Sequence, residues 1–377
     1  MKITGIIAEY NPFHNGHKYQ IEEAKKFSDG IVAIMSGSFV QRGAIAITDK
    51  WTRAKIAVEN GADLVVELPV IYSLNTAQKF AKGAVSILDK TNVINYLCFG
   101  SESGNVKKLS KAAELLINEP EYVSEKMKKF IWEGLAYPDA RQKAFDGLIN
   151  EEILSSPNNI LALEYIKALI ETESSIKPVT VKRYGTDYHD EFAKNGIASA
   201  SAIRKMIKNK KPITELTPDY SFEVCEESKL NTALIAHLRM MSEYDLSCIN
   251  DVNEGLENRI KEALKYSLTI DELCENIKTK RYPMSKIRRI VFSALLGITK
   301  DIAKSDVNYI RVLAMNSTGA KILREIKSKS SLDIITKTAD YKKDDVSFQK
   351  DILATDMFAL CSDKKMGMDY TKSPIKL

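Results

Sequence analysis

A doubly wound α/β sheet followed by a mostly helical region is the fold class that this sequence predicts. Three observations predict it. Short apolar runs at Ile3–Ala8, Ile31–Met35, Leu64–Val66 and Ile94–Cys98 are continuous rather than alternating, as strands covered on both faces are. Helical periodicity separates each run from the next, which makes βαβ units and a Rossmann-like parallel sheet. After Pro212 and Pro218 the period is helical almost throughout.

The elements follow in order. Ile3–Ala8 leads into a helical pattern from about His17 to Phe27. Ile31–Met35 ends at Ser36-Gly37-Ser38, and a helix carrying Trp51, Ala54, Ile56 and Ala57 comes next. Leu64-Val65-Val66 precedes a helix over 77–88, and Ile94–Cys98 runs into Phe99-Gly100. Residues 104–173 are helical in period, broken near Pro120, Pro138 and Pro157, where the missing N–H interrupts a helix. Val179-Thr180-Val181 reads as one more strand and Ser199–Ile207 as a helix, with no further strand expected before the tail. The expected division is a catalytic α/β domain at 1–212 and a helical domain at 213–377.

With 377 residues, 44% hydrophobic and 28% charged, the chain is long enough for two cores. Every apolar run is interrupted by charge before it reaches a membrane span, so no membrane association is expected. Five cysteines without CxxC spacing point to reduced thiols, a cytoplasmic setting and no zinc or other protein-held metal. Charge is unevenly spread. Residues 215–275 hold 5 basic and 14 acidic side chains, whereas 276–330 hold 13 basic and 3 acidic. Such a swing serves either two faces that pair or a basic surface for a polyanion.

The densest chemistry lies at Glu9-Tyr10-Asn11-Pro12-Phe13-His14-Asn15-Gly16-His17, directly after the first strand and at the mouth of the first helix. Free N–H groups and the positive dipole end of a helix favour phosphate there. Imidazoles at the same place can donate hydrogen bonds to charge building on a phosphorus under attack. The alternative is a capping turn with two surface histidines. Two of the chain's four histidines, His14 and His17, fall here, which favours the catalytic reading.

This strand–HxGH–helix arrangement resembles the nucleotidyltransferase superfamily that includes class I aminoacyl-tRNA synthetases. Ser199-Ala200-Ser201-Ala202-Ile203-Arg204 is similar to that superfamily's second signature, with Ser199, Ser201 and Arg204 placed for outer phosphates and Ala200 in place of the middle serine. Pro283-Met284-Ser285-Lys286 resembles the synthetase KMSKS loop, but about 80 residues past the last expected strand it is assigned no such role. The wider set is closer to one family. Met35-Ser36-Gly37, Phe39-Val40-Gln41-Arg42-Gly43, Lys50-Trp51-Thr52-Arg53-Ala54-Lys55, the run from Gly61 to Pro69, Phe99-Gly100-Ser101-Glu102, Pro157-Asn158-Asn159 and Asp187-Tyr188-His189-Asp190 follow in order. Together they resemble the bacterial tRNA(Met) cytidine acetate ligase family, densely to about residue 205 and loosely beyond.

The resemblance implies that acetate attacks the α-phosphate of ATP to give acetyl-adenylate. The wobble cytidine of elongator tRNA(Met) then takes the acetyl group, forming N4-acetylcytidine. It places ATP contacts on Ile7, Ala8, Glu9, Tyr10, Asn11, Pro12, Phe13, His14, Asn15, Gly16, His17, Lys18, Tyr19 and Gln20. Gly100, Asn158, Arg183 and Tyr184 complete that set. Mg²⁺ is expected only as the companion of the ATP phosphates. Arg42, Lys50 and Arg53 could hold pyrophosphate or acetate, or be solvated; their spacing does not decide.

Lys278, Lys280, Arg281, Lys286, Arg288 and Arg289 place six cations in twelve residues around Tyr282, with Arg311, Lys321 and Arg324 following. Clustered cations with an aromatic suit an RNA backbone and a stacked base. The alternative is a basic face that pairs with the acidic 215–275 stretch. His189 and His237 are read as a loop residue and a structural residue. No protein partner is expected. A small-molecule nucleotidyltransferase is the second functional reading, and a non-catalytic RNA-binding protein on a synthetase scaffold the third.

Overall fold

Alternation along the central strands decides the architecture. In the computed structural model, which describes residues 1–183, 196–218, 221–253 and 255–377, strand β1 (Ile3–Ala8) sends Ile3 and Ile7 into one apolar cluster and Ile6 into another. Strand β2 (Gly30–Ser36) does the same, with Val32 and Ile34 on one face and Ile31, Ala33 and Met35 on the other. A strand buried on both faces needs apolar residues at every position, hence the continuous runs.

β3 (Phe39–Val40) and β4 (Ala44–Ile45) form a separate antiparallel hairpin. β5 (Leu64–Leu68), β6 (Tyr96–Ser101), β7 (Lys177–Lys182), β8 (Tyr309–Met315) and β10 (Ile375–Lys376) join β1 and β2 in the order β10-β8-β5-β2-β1-β6-β7, with β9 (Asp333–Ile335) beside β8. The pairs β1–β2, β1–β6, β2–β5 and β6–β7 are parallel. The chain moves outward from β1 through β2 to β5, then crosses to β6 on the other side of β1. That reversal opens a crevice at the carboxyl ends of β1 and β6.

One expectation is corrected. The helical stretch after residue 213 is present, from the turn Glu227–Leu230 through the helix Met284–Leu296, but the chain then re-enters the sheet. β8 pairs antiparallel with β5, so the sheet is mixed at that edge. Burial explains why β8 is a strand: all seven of its residues are buried, Arg311 included. The single arginine in YIRVLAM disguises a central strand as an amphipathic segment. Among the described residues no helix is long and apolar enough to cross a membrane.

Buried charge ties the tail to this sheet. Lys50 Nζ lies 2.7 Å from Glu67 Oε2 and 3.0 Å from Asp369 Oδ1, and all three side chains are inaccessible to solvent. Burial alone would favour a neutral lysine, but Asp369 and Glu67 hold it charged, with its pKa raised. Arg311 reaches the Asp369 carbonyl at 3.2 Å and its carboxylate at 3.4 Å. Lys50, one of three cations open to a ligand role by spacing, is therefore structural. So is Arg53, which donates to the carbonyls of Thr48, Glu9, Ser36 and Gly37. Removing one member of such a cluster strands the opposite charge. Lys50→Ala is expected to lower unfolding free energy by about 3–5 kcal/mol, read by urea denaturation; a loss below ~1 kcal/mol contradicts this assignment.

Candidate active site

Local chain geometry turns the end of β1 into a tight corner. Tyr10 adopts a left-handed backbone (φ 46°), sparsely populated for a residue with a side chain, and swings the chain away from the sheet. The helix Asn15–Lys25 then starts with His14 as its N-cap. His14 Nδ1 accepts from the Gly16 N–H at 3.1 Å, and His17 Nδ1 accepts from the His14 N–H at 3.2 Å. This is a reciprocal capping box in which imidazoles replace the usual hydroxyl and carboxylate. The rings stack with centroids 3.7 Å apart. With both Nδ1 atoms accepting, each ring proton sits on Nε2. The capping turn is present, and its hydrogen bonds use neither Nε2 atom.

The same environment keeps both rings neutral. Burial, then the nearby Arg183 and Arg204, lower His14 to about 3. Burial, His14 and Arg183 lower His17 well below its usual value. The corner therefore offers two neutral Nε2–H donors rather than two cations.

These histidines line a cleft of about 460 Å³ at the carboxyl ends of β1 and β6, a size suited to a nucleotide. Of the expected contacts, it brings together Ile7, Ala8, Glu9, Tyr10, Asn11, His14, His17, Gln20, Gly100, Asn158, Arg183, Ser199, Ser201 and Arg204. Pro12 and Phe13 are buried behind the corner, and Lys18 is exposed on the helix. Asn15 fastens the helix start instead, donating to the carbonyls of Gly196 and Glu215. Gly16 and Tyr19 border a smaller recess with Gly100 and Arg183. Tyr184 and Asp187–Asp190, with His189, lie outside the described residues. His237 Nε2 sits 3.2 Å from the Ala294 carbonyl, remote from the cleft lining.

Each wall has a local cause. A Cβ on Gly100 would come within 3.3 Å of the Arg183 side chain, so glycine leaves that arginine its place. Glu102 caps the helix Pro157–Glu171, accepting from the N–H groups of Asn158 and Asn159 and from Asn158 Nδ2 at 2.6 Å. Asn158 Oδ1 is then the amide's remaining acceptor. Ser199 caps the helix Ala200–Lys208 through the Ala202 N–H, and Arg204 donates to the Asn11 carbonyl at 2.6 Å and to Ser201 Oγ at 3.1 Å. Arg204 of the second signature thus touches Asn11 of the segment leading into the first, 193 residues away in the chain.

Sequence reasoning missed Gln41, Phe80 and Tyr165, which also line the cleft. Gln41 stood within a quoted motif; Phe80 and Tyr165 carried no signal, since aromatic residues on helices ordinarily mean core. Arg42 lines the cleft, unlike Lys50 and Arg53. Ser285 does too, so the segment set aside as belonging to the wrong domain reaches the site. Its helix Met284–Leu296 packs on the hairpin, where Arg288 Nε donates to the Gly43 carbonyl at 2.7 Å. Gly43 has φ 74° and lies against the Arg288 and Arg289 backbone, with no room for a Cβ.

Most of the basic segment pairs internally. Lys278 meets Glu275 at 3.4 Å, Lys286 approaches Asp251 at 4.0 Å, Arg289 meets Asp251 at 3.4 Å, and Arg288 binds Glu227 and, at 2.9 Å, Asp271. Each acid belongs to the acidic stretch, as the pairing alternative requires. Lys280 and Arg281 are exposed on the turn that precedes the helix.

A mostly parallel sheet, a switch-point cleft and a stacked HxGH pair define a nucleotide-binding enzyme of the HIGH nucleotidyltransferase class. Residues 1–372 match the family described as HIGH Nucleotidyl Transferase. The tRNA(Met) cytidine acetate ligase of Clostridium perfringens is 41% identical, over 100% of this chain and 99% of its own. That of a Thermoanaerobacter species is 42% identical over the full length of both. Crystal structures of Thermotoga maritima TmcAL, bound with alpha-thio ATP and apo, superpose with TM-scores of 0.90 and 0.92, at 30% identity and complete coverage of both chains. The chain belongs to the tRNA(Met) cytidine acetate ligase family.

The lowered pKa values fix a sign. A histidine whose folded pKa lies far below 6.5 gains no proton as pH falls from 8 to 5. In ¹⁵N-imidazole NMR both rings are expected to remain Nε2–H tautomers across that range. A doubly protonated ring at pH 6 rejects the assignment.

Proposed function

We propose that this protein is an ATP-dependent ligase that acetylates the N4 amine of a tRNA cytidine, the wobble position of elongator tRNA(Met), through an acetyl-adenylate. The observation that carries the first step is the pair of neutral Nε2–H donors at the end of β1, in a cleft of nucleotide size. An acetate oxygen attacks the α-phosphorus, the bond to the β-phosphate oxygen breaks, and pyrophosphate leaves. Negative charge grows on the α-phosphate oxygens, and the two imidazoles donate to it without a change of protonation. Arg204 and Arg183 offer charge to the outer phosphates, and Asn158 Oδ1 can accept from the adenine amine. Among the described residues no three His, Cys, Asp or Glu side chains gather as a metal cage. A Mg²⁺ ion accompanying ATP would be held through its phosphates and would neutralise charge there.

The reading that RNA is the acceptor is supported by the named relatives and by where the basic segment sits. Ser285 lines the cleft, and Lys280 and Arg281 stand exposed a few residues earlier. Tyr282 lies between Arg281 and Lys286, whose charges are 6.0 and 5.2 Å from its ring. RNA phosphates held at this turn would bring an unpaired base to the mouth of the cleft.

Two measurements test this. His14→Asn, which keeps an N-cap acceptor, and His17→Ala are each expected to lower acetate-dependent ATP–pyrophosphate exchange by about 10²–10³-fold while tRNA binding persists. Loss of tRNA affinity with normal exchange refutes the histidine roles. Replacing Lys280 and Arg281 with Ala is expected to weaken tRNA binding and to flatten its log–log salt dependence by roughly one unit per cation. An unchanged slope moves the RNA surface elsewhere.

A further inference from the structure

One side chain of the cleft is out of keeping with the nucleotide. Among the described residues that line it, Glu9 is the sole carboxylate. A pocket for a polyphosphate gains from cations such as Arg42, Arg183 and Arg204, and a fixed anion works against it. Nothing about Glu9 is accidental in its placement. It directly follows β1, and Arg53, itself buried, holds its main-chain carbonyl at 2.7 Å. Its Oε1 accepts from the Gln41 N–H at 2.8 Å, which turns the carboxylate toward the hairpin side of the cleft. Only that oxygen is engaged among the described residues. The Tyr165 phenol, its pKa raised by burial first and by the Glu9 charge second, lines the same cleft.

The second half-reaction brings the one neutral N–H donor group that needs an anion. Cytosine N4 is a poor nucleophile because its lone pair is delocalised into the ring. It becomes reactive only as its proton is drawn away. A carboxylate is the side chain that reads this amine in nucleic-acid complexes.

We propose that Glu9 is the catalytic residue for acetyl transfer, accepting a hydrogen bond from cytosine N4 and taking its proton as the amide forms. The assignment rests on the acetyl-transfer reading above and deepens it. N4 attacks the acetyl carbonyl carbon and the C–N bond forms. The bond from that carbon to the phosphate oxygen breaks, and AMP leaves with the electron pair. The N4 proton passes to Glu9 and from there to water. An aromatic wall with Phe80 and Tyr165 gives the base flat surfaces beside the carboxylate.

The test separates the two half-reactions in the full-length enzyme. Glu9→Gln retains an amide oxygen to accept from Gln41, so the local fold is preserved while the charge and basicity are lost. Acetyl transfer to a tRNA transcript is expected to fall by about 10²–10⁴-fold, the usual worth of a general base. Acetate-dependent ATP–pyrophosphate exchange is read on the same variant, and transfer is expected to fall at least tenfold further than exchange does. Hydroxylamine, a strong nucleophile that needs no base, supplied in place of RNA should give acetohydroxamate in proportion to the exchange that remains. Exchange that falls as far as transfer overturns the proposal, because Glu9 then serves adenylation or the ion on ATP. Transfer within threefold of wild type overturns it as well. Wild-type protein without acetate-dependent exchange overturns the ligase reading itself, and the Glu9 assignment with it.

Discussion

The reciprocal capping of one helix by His14 and His17 is the constraint from which the site follows. Unpaired N–H groups at a helix start need acceptors, and here two imidazoles accept from those of His14 and Gly16, while the Leu216 carbonyl accepts from that of Asn15. Meeting that need fixes both tautomers, stacks the rings and leaves two Nε2–H donors. The desolvation that accompanies it keeps them neutral. Capping thus uses one nitrogen of each ring and leaves the other toward the cleft, so a substitution at either position disturbs the helix start unless it preserves an acceptor at the Nδ1 position.

Around this corner the fold invests buried charge. Arg53 gathers the carbonyls of Glu9, Ser36 and Gly37, which leave the ends of β1 and β2 where regular pairing has stopped. Loop carbonyls buried under a cleft have no water to bond, and a guanidinium with several donors satisfies them together. Lys50, Glu67, Asp369 and Arg311 extend the arrangement from the first third of the chain to its last ten residues. Asp351 joins beside them, its carboxyl pushed well up by burial and the neighbouring Glu67 and bonded to the Tyr309 hydroxyl. The C-terminal residues are therefore part of the scaffold under the active site.

The acidic and basic stretches solve a different problem. Their pairing folds the helical region on itself and sets the helix Met284–Leu296 against the β3–β4 hairpin. Its start, with Ser285, consequently forms part of the cleft. Of the six cations from Lys278 to Arg289, Lys280 and Arg281 stand exposed on the turn before the helix.

By itself the sequence determined what depends on local pattern. Continuous apolar runs identified β1, β2, β5 and β6, because a doubly covered strand must be apolar throughout. The HxGH and Ser199–Arg204 motifs were legible because each sits at a helix start whose chemistry is local, whereas Gly100 and Asn158 came only through the family resemblance. Only the tertiary structure decided what depends on partners distant in the chain. β8 was hidden by Arg311, whose burial makes sense only once Asp369 lies beside it. Lys50 and Arg53 stood next to Arg42 in sequence, yet two face carbonyls and carboxylates of the interior and one faces the cleft. Glu9, Phe80 and Tyr165 acquired a shared wall, and Ser285 a place at the site, through packing across separate elements. A side chain's chemistry is written in its residue type, but whether that chemistry meets solvent, ligand or an opposite charge is set by contacts that no local window of sequence contains.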